Sequence, residues 1–240
     1  MPSTPHADAA TILRDLAAVG AERARRAAQP DLGARVQALK RYQQQRFRLT
    51  HGDLLASARY GAATRFFLDE LYGPQDFNRR DAQFERIVPA LVRLFPQTIV
   101  DTVGTLGELH ALSESLDSAM AERLPSSEID AARYVHAWQG TGRAANREQQ
   151  LALTLQVGAS LDHYTRRPML TTSLRMMRGP AGAAGMSELQ AFLEQGFDTF
   201  RAMNGSEEFL HLIDTRERVL MRLLFEADAG DPGVGAGQLP

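Results

Sequence analysis

AANREQQLALTLQVGASLDHYT, residues 144–165, decides the fold. At 100° per residue Leu151, Leu155 and Gly158 share one helical face, and Leu153, Val157 and Leu161 share another. A helix apolar over so much of its circumference belongs at the centre of a helical assembly. Pro168 closes this segment on one side, and Gly140-Thr141-Gly142 precedes it on the other.

Outward from this segment, helix-period patterns fill most of the chain and no convincing alternating strand pattern appears. Towards the N-terminus, the spacing predicts helices over 7–28, 32–49, 51–72, about 81–95, 97–123 and from Ser126 or Ser127 to about 140. Pro30, Gly73-Pro74, Pro96 and Pro125 punctuate them. Thr50 with Asp53 reads as a capping box for the helix over 51–72. Pro89 lies inside an apolar stripe and predicts a kink or a join, because it cannot donate to the carbonyl of Glu85. Towards the C-terminus, a short helix is predicted over 169–178. A glycine-rich run from Gly179 to Gly185 follows as a connection, then helices from Ser187 to about Met203 and over 206–227. Ser187 with Gln190 reads as a second capping box, and Asn204-Gly205 as a left-handed stop.

The expected fold is therefore all-α, a bundle of eight to ten helices. No repeat and no strong linker is visible, so one domain over 1–229 is the first choice. A boundary near 125 is the weaker alternative. Residues 1–49 read as an N-terminal helical arm, 50–229 as the body and 230–240 as a disordered tail. The Ala-rich stripes of the arm suit pairing with a second copy.

Composition narrows the function classes. The 240 residues include 44% hydrophobic and 23% charged residues, enough for a sizeable core. The absence of cysteine removes disulfides, thiolate metal sites and thiol catalysis, and fits a reducing compartment. Neither a signal peptide nor a membrane-spanning stretch is found, so the expectation is a cytoplasmic protein. Lys40 is the one lysine; nearly all basic side chains are arginine. Residues 23–48 carry eight basic side chains against Glu22 and Asp31, with Tyr42 and Phe47 interleaved. The net charge of −2 argues against a nucleic-acid surface there and for a face balanced by acidic neighbours.

Within the helix over 51–72 stands Phe66-Phe67-Leu68-Asp69-Glu70-Leu71-Tyr72. This heptapeptide resembles the signature of a family of bacterial proteins named for an FFLEELY motif, with Asp69 in place of the usual Glu. Gly73 to Phe77, Arg79-Arg80-Asp81, Arg178-Gly179-Pro180, Leu189 to Glu194 and Gly196-Phe197 are similar to the family's continuation. The resemblance covers most of residues 50–225 and implies a proteobacterial protein, but supplies no active-site residue. Core packing accounts for the heptapeptide without a function: Phe67 and Leu71 share a face, and Tyr72 can bury its ring.

His110 is the leading candidate for chemistry. It continues the apolar stripe of Ile99, Val103 and Leu106, and Asp117 follows two turns later on that face. The favoured reading is a core histidine bonded to a carboxylate or backbone carbonyl. The alternative is a pocket for a small ligand, or haem held by His110 as axial ligand, since Leu109-His110-Ala111-Leu112 loosely resembles the proximal helix of globins. A third reading places an anion or phosphate ligand at Arg175, Arg178 and Gly179, where glycine-rich backbone precedes a helix; Pro180 and the lack of a preceding strand count against it. Glu208-x-x-His211 is half of a di-iron pattern with no second copy, so no metal site is expected. His136 and His163 lack metal-ligand spacing, and no hydrolase, kinase or P-loop signature occurs. With no catalytic signature, a non-enzymatic helical binding or interaction protein is the expected function.

Overall fold

A computed structural model describes residues 6–71, 77–228 and 238–240. Among them the chain is all-α, with no strand. Its elements are α1 (Ala9–Ala28), α2 (Pro30–Thr50), α3 (Gly52–Ala56), α4 (Gly61–Phe66), a π-helical turn (Phe67–Leu71), α5 (Asn78–Leu94) and α6 (Gln97–Ala121). They continue with α7 (Ala131–Thr141), α8 (Ala144–Thr165), α9 (Pro168–Met176), α10 (Arg178–Ala183), α11 (Ser187–Met203) and α12 (Glu207–Glu226).

As its pattern requires, α8 buries both faces: Leu151, Leu153, Val157 and Gly158 all face inward, and beyond its first turns the exposed residues fall on the line Ala152, Gln156, Ala159 and His163. It shares the centre with α6, which packs against α1, α2, α7 and α8. Three core clusters surround this pair. One joins α2, α7 and α12 through Leu39, Tyr134 and Leu220. A second joins α3, α4 and α11 to the start of α12 through Leu54, Phe66, Phe200 and Phe209. The third joins α1, α5 and α6 through Ile12, Leu16, Val88 and Val100.

The structure corrects several boundaries. The helix expected over 51–72 breaks at residues 57–60, because the Ser57 hydroxyl accepts from the N–H groups of Arg59 and Tyr60 and turns the backbone out of the helix. Thr50 is no cap; it ends α2 and donates to the carbonyl of Arg46. Beyond α4 the chain widens into the π-helical turn. The extra residue per turn lets Phe66, Phe67 and Leu68 all enter the core, where an α-helix would splay them. Tyr72 and Gly73-Pro74 lie outside the described residues.

Pro89 neither splits nor ends α5. It and Glu85 are exposed, so the carbonyl that Pro89 cannot serve faces water. Asp130, not Ser126 or Ser127, caps α7, accepting from the N–H of Arg133 at 2.8 Å. The run Gly179–Gly185 is largely the short helix α10 rather than an open connection. Ser187 makes no cap, and Gln190 donates instead to the carbonyl of Leu174 and to Glu194. Asn204 does end α11 in the left-handed region, at φ 51° and ψ 51°.

The segment read as an arm lies along the body: α1 buries Ile12, Leu16 and Val19 against α5 and α6. Ala17, Ala21, Ala24 and Ala28 of α1 remain exposed. Of the tail expected to be disordered, residues 229–237 lie outside the described residues. At its end Leu239 is buried in the α2–α7–α12 cluster, and Tyr42 donates to the carbonyl of Pro240 at 3.4 Å.

Candidate ligand cavity

Helix α6 supplies the spine of an interior cavity of about 180 Å³. Val103, Leu106, His110, Ser113 and Asp117 recur at three- and four-residue spacing and line it in turn. At 1.5 Å per residue they trace a path of about 20 Å. The volume has room for on the order of ten water molecules.

The two ends of that path differ. Beside Val103 and Leu106 stand Phe84, Ile87 and Leu91 of α5 and Leu189, Phe192 and Leu193 of α11, which form an apolar end. Beside Ser113 and Asp117 stand Lys40 and Gln43 of α2, Tyr134 and Trp138 of α7, and Arg147 and Gln150 of α8, which form a polar end. The sequence separates them because α6 itself changes character along one face, from Val103 and Leu106 to Glu114 and Asp117.

His110 marks the midpoint. Its Nε2 lies 2.8 Å from Asp81 Oδ2, and the same oxygen accepts from Arg23 Nη2 at 2.7 Å. An ionised carboxylate can only accept, so the shorter contact assigns the proton to Nε2, which donates to Asp81; Arg23 Nη2 stands farther from Nε2, at 3.3 Å. Burial pushes the Asp81 carboxyl up, but His110, Arg23 and Arg80 outweigh it and hold the group below its ordinary range. Arg80 in turn pairs with Glu70 at 2.7 Å, its guanidinium 3.9 Å from the Phe77 ring centre and 4.4 Å from that of Phe192. An iron ligated by His110 Nε2 would have to take that nitrogen from Asp81, so the haem reading does not fit this arrangement. The expectation of a histidine bonded to a carboxylate matches it.

Deeper in, Glu114 receives Lys40 Nζ at 2.7 Å and also pairs with Arg26, whose Nε donates to Ser118 at 2.8 Å. Burial opposes its charge, yet Lys40 and Arg26 together hold the carboxyl at about 2. Asp117, one turn further, is 3.8 Å from Lys40 and accepts from Gln43 at 3.3 Å. There burial prevails and Glu114 adds repulsion, so its carboxyl is pushed up. Behind this end Glu217 binds Arg46 and accepts from His51 Nε2 at 2.9 Å.

Two cavity-lining groups have no hydrogen-bond partner among the described residues: the Tyr134 hydroxyl and the indole Nε1–H of Trp138. Tyr134 is fully buried and Trp138 is 7% exposed. Burial pushes the Tyr134 phenol up, which keeps its proton in place. An orphaned buried donor is costly, and a pair of them beside a cavity marks where a bound molecule would supply acceptors.

Of the candidate site residues read from the sequence, the structure brings His110 and Asp117 to this cavity and leaves Arg175, Arg178 and Gly179 outside it. Arg178 is exposed and pairs with Glu194, its Nε 2.7 Å from Oε2; Arg175 pairs with Asp198 at 3.0 Å. Gly179 sits within α10. Glu208 binds Tyr60 and Arg59, while His211 and His136 are exposed and His163 meets Arg167. Among the described residues no group of three or more side chains could hold a metal. The basic run 23–48 turns largely inward: Arg23, Arg26, Lys40 and Arg46 are neutralised by Asp81, Glu114 and Glu217. Sequence reasoning missed Asp81, Tyr134, Trp138 and Arg147. For Glu114 a signal was present, its place on the His110–Asp117 face; the others come from helices whose approach to α6 no local pattern encodes.

Fold and cavity together define an all-helical protein with a partly open interior site, apolar at one end and charged at the other. The chain belongs to the family described as a domain of unknown function (DUF8198), whose profile matches residues 22–231. No curated protein and no solved structure matches it. No helix among the described residues is long and apolar enough to cross a membrane.

Proposed function

We propose that this chain is a non-enzymatic binding protein that encloses a small amphipathic molecule in the α6 cavity. The observation that carries this reading is the pair of partnerless buried donors, Tyr134 and Trp138, on the wall of a chamber whose far end is apolar. Small-molecule sites are concave and mostly apolar, with a few convergent polar groups, and this chamber has that make-up. The absence of cysteine supports a cytoplasmic setting. The heptapeptide Phe66 to Tyr72 supports the finer reading that the family is the one named for FFLEELY in proteobacteria.

The test uses Trp138, the one tryptophan in the chain, as reporter. Titration with 1-decanol, an uncharged amphiphile, is expected to shift its emission saturably. A double variant, Val103→Phe with Leu106→Phe, fills the apolar end and is expected to lose the response while melting cooperatively. A silent wild type, or an equal response in the filled variant, overturns the reading.

A further inference from the structure

The polar end of the cavity is rich in donors and positive charge. Trp138 Nε1–H can only donate. The Tyr134 hydroxyl, buried and without a partner, has a proton to give. Arg147 lays its guanidinium 4.1 Å from the Trp138 ring centre, with Nη1 3.3 Å from Gln150 Oε1 and Nη2 3.5 Å from Met120 Sδ. It brings a fixed positive charge beside the two orphaned donors.

The acidic groups at this end are already engaged. Glu114 is held between Lys40 and Arg26. Glu217 is held between Arg46 and His51. Asp117 is driven towards its neutral form by burial and by Glu114. The carboxylates at this end thus already have partners, while the Tyr134 and Trp138 donors have none among the described residues. What this end leaves unmet is two buried donors, the Tyr134 hydroxyl and the Trp138 Nε1–H, with the Arg147 guanidinium beside them. A ligand amine would add donors where two are already unmet, and an alcohol would supply a single acceptor oxygen for the pair. A carboxylate offers two acceptor oxygens and one negative charge, which charge-assisted hydrogen bonds reward most.

We infer that the ligand is an amphipathic monocarboxylic acid, its carboxylate seated against Tyr134, Trp138 and Arg147 and its hydrocarbon portion running along α6 towards Leu106, Phe84 and Leu189. The path of about 20 Å along α6 gives an unbranched acyl or aryl-alkyl chain room to extend. His110, tied to Asp81, then lies beside the middle of the chain and takes no part in holding the head group. This assignment rests on the binding reading above and refines it.

Three decyl amphiphiles test it against wild-type protein below their micelle concentrations: decanoate, 1-decanol and decylamine. Trp138 emission and titration calorimetry give the affinities. Decanoate is expected to bind about tenfold tighter than decanol, with decylamine weakest. Tyr134→Phe, which removes one donor while keeping the ring, is expected to bring decanoate down towards decanol. Since the variant keeps the core volume, a matching thermal melt shows that it folds. If decanol or decylamine equals or exceeds decanoate, or if Tyr134→Phe leaves the preference intact, the carboxylate assignment is wrong and the cavity reading stands. If none of the three binds, both fall.

Discussion

Glu114 and Asp117 sit one turn apart on α6 and share Lys40, yet their environments shift the two carboxyls in opposite directions. The difference is the second cation: Arg26 reaches Glu114, while Asp117 has Gln43 and full burial. Glu114→Gln would strand Lys40 and Arg26 in the interior and should cost about 3 kcal/mol. For a chain of this length that corresponds to a loss of roughly 6–12 °C in Tm. Asp117→Asn removes a charge that burial already penalises and retains an acceptor for Gln43, so at neutral pH it should raise Tm. Melts of the two variants at pH 7 check the opposite signs. Glu114 and Glu217 also set the acid limit. Both carboxyls are held at about 2 in the folded state against an ordinary 4.5, so the fold is favoured wherever they are ionised. That stabilisation is full above about 4.5 and is lost as pH falls towards 2. Denaturant titrations between those limits should show stability dropping steeply, and Glu217→Gln should flatten the slope.

Among the helices, two glycines separate propensity from packing. Gly20 is exposed inside α1, and an added Cβ would meet nothing within 4 Å. Gly20→Ala should therefore gain about 1 kcal/mol from backbone entropy alone. At Gly61, the first residue of α4, the same carbon would stand 2.8 Å from the carbonyl oxygen of Leu55. A backbone atom cannot swing aside, so Gly61→Ala should cost about 1–3 kcal/mol despite the better helix former. Paired thermal melts decide both. This contrast also explains which helices were legible in the sequence. Where an apolar stripe runs unbroken, as in α8 and α12, spacing alone located the helix. The break at Ser57 depends on a side chain competing for backbone N–H groups, and the π-helical turn on the core having room for Phe66, Phe67 and Leu68 together. Neither is written in a periodicity. Of the kink or join read at Pro89, the join does not occur: α5 runs through it, and the exposed position leaves the carbonyl of Glu85 on the water side.

For the whole molecule, residues far apart along the chain complete one core cluster. Leu239 closes the cluster built by Tyr42, Trp138 and Leu220, and Leu239→Ala should destabilise by about 2 kcal/mol in equilibrium unfolding. The cavity presents the opposite case, interior volume left unfilled. His110 and Asp117 were legible as one face of α6, but a cavity is a property of where α2, α5, α7, α8 and α11 stop short of that face, and that is set by tertiary packing. A partly open space of about 180 Å³ forfeits dispersion contacts along its walls, and the Tyr134 and Trp138 donors add a further penalty. Filling should therefore stabilise the apo-protein, and so should a ligand. At a hundredfold excess over Kd a bound ligand contributes about 2.7 kcal/mol, roughly 5–11 °C here. The Val103→Phe, Leu106→Phe variant should melt above the ligand-free wild type and gain nothing from added decanoate, while the wild type gains the full shift. Two gains that instead add in the filled variant would place the ligand elsewhere on the molecule.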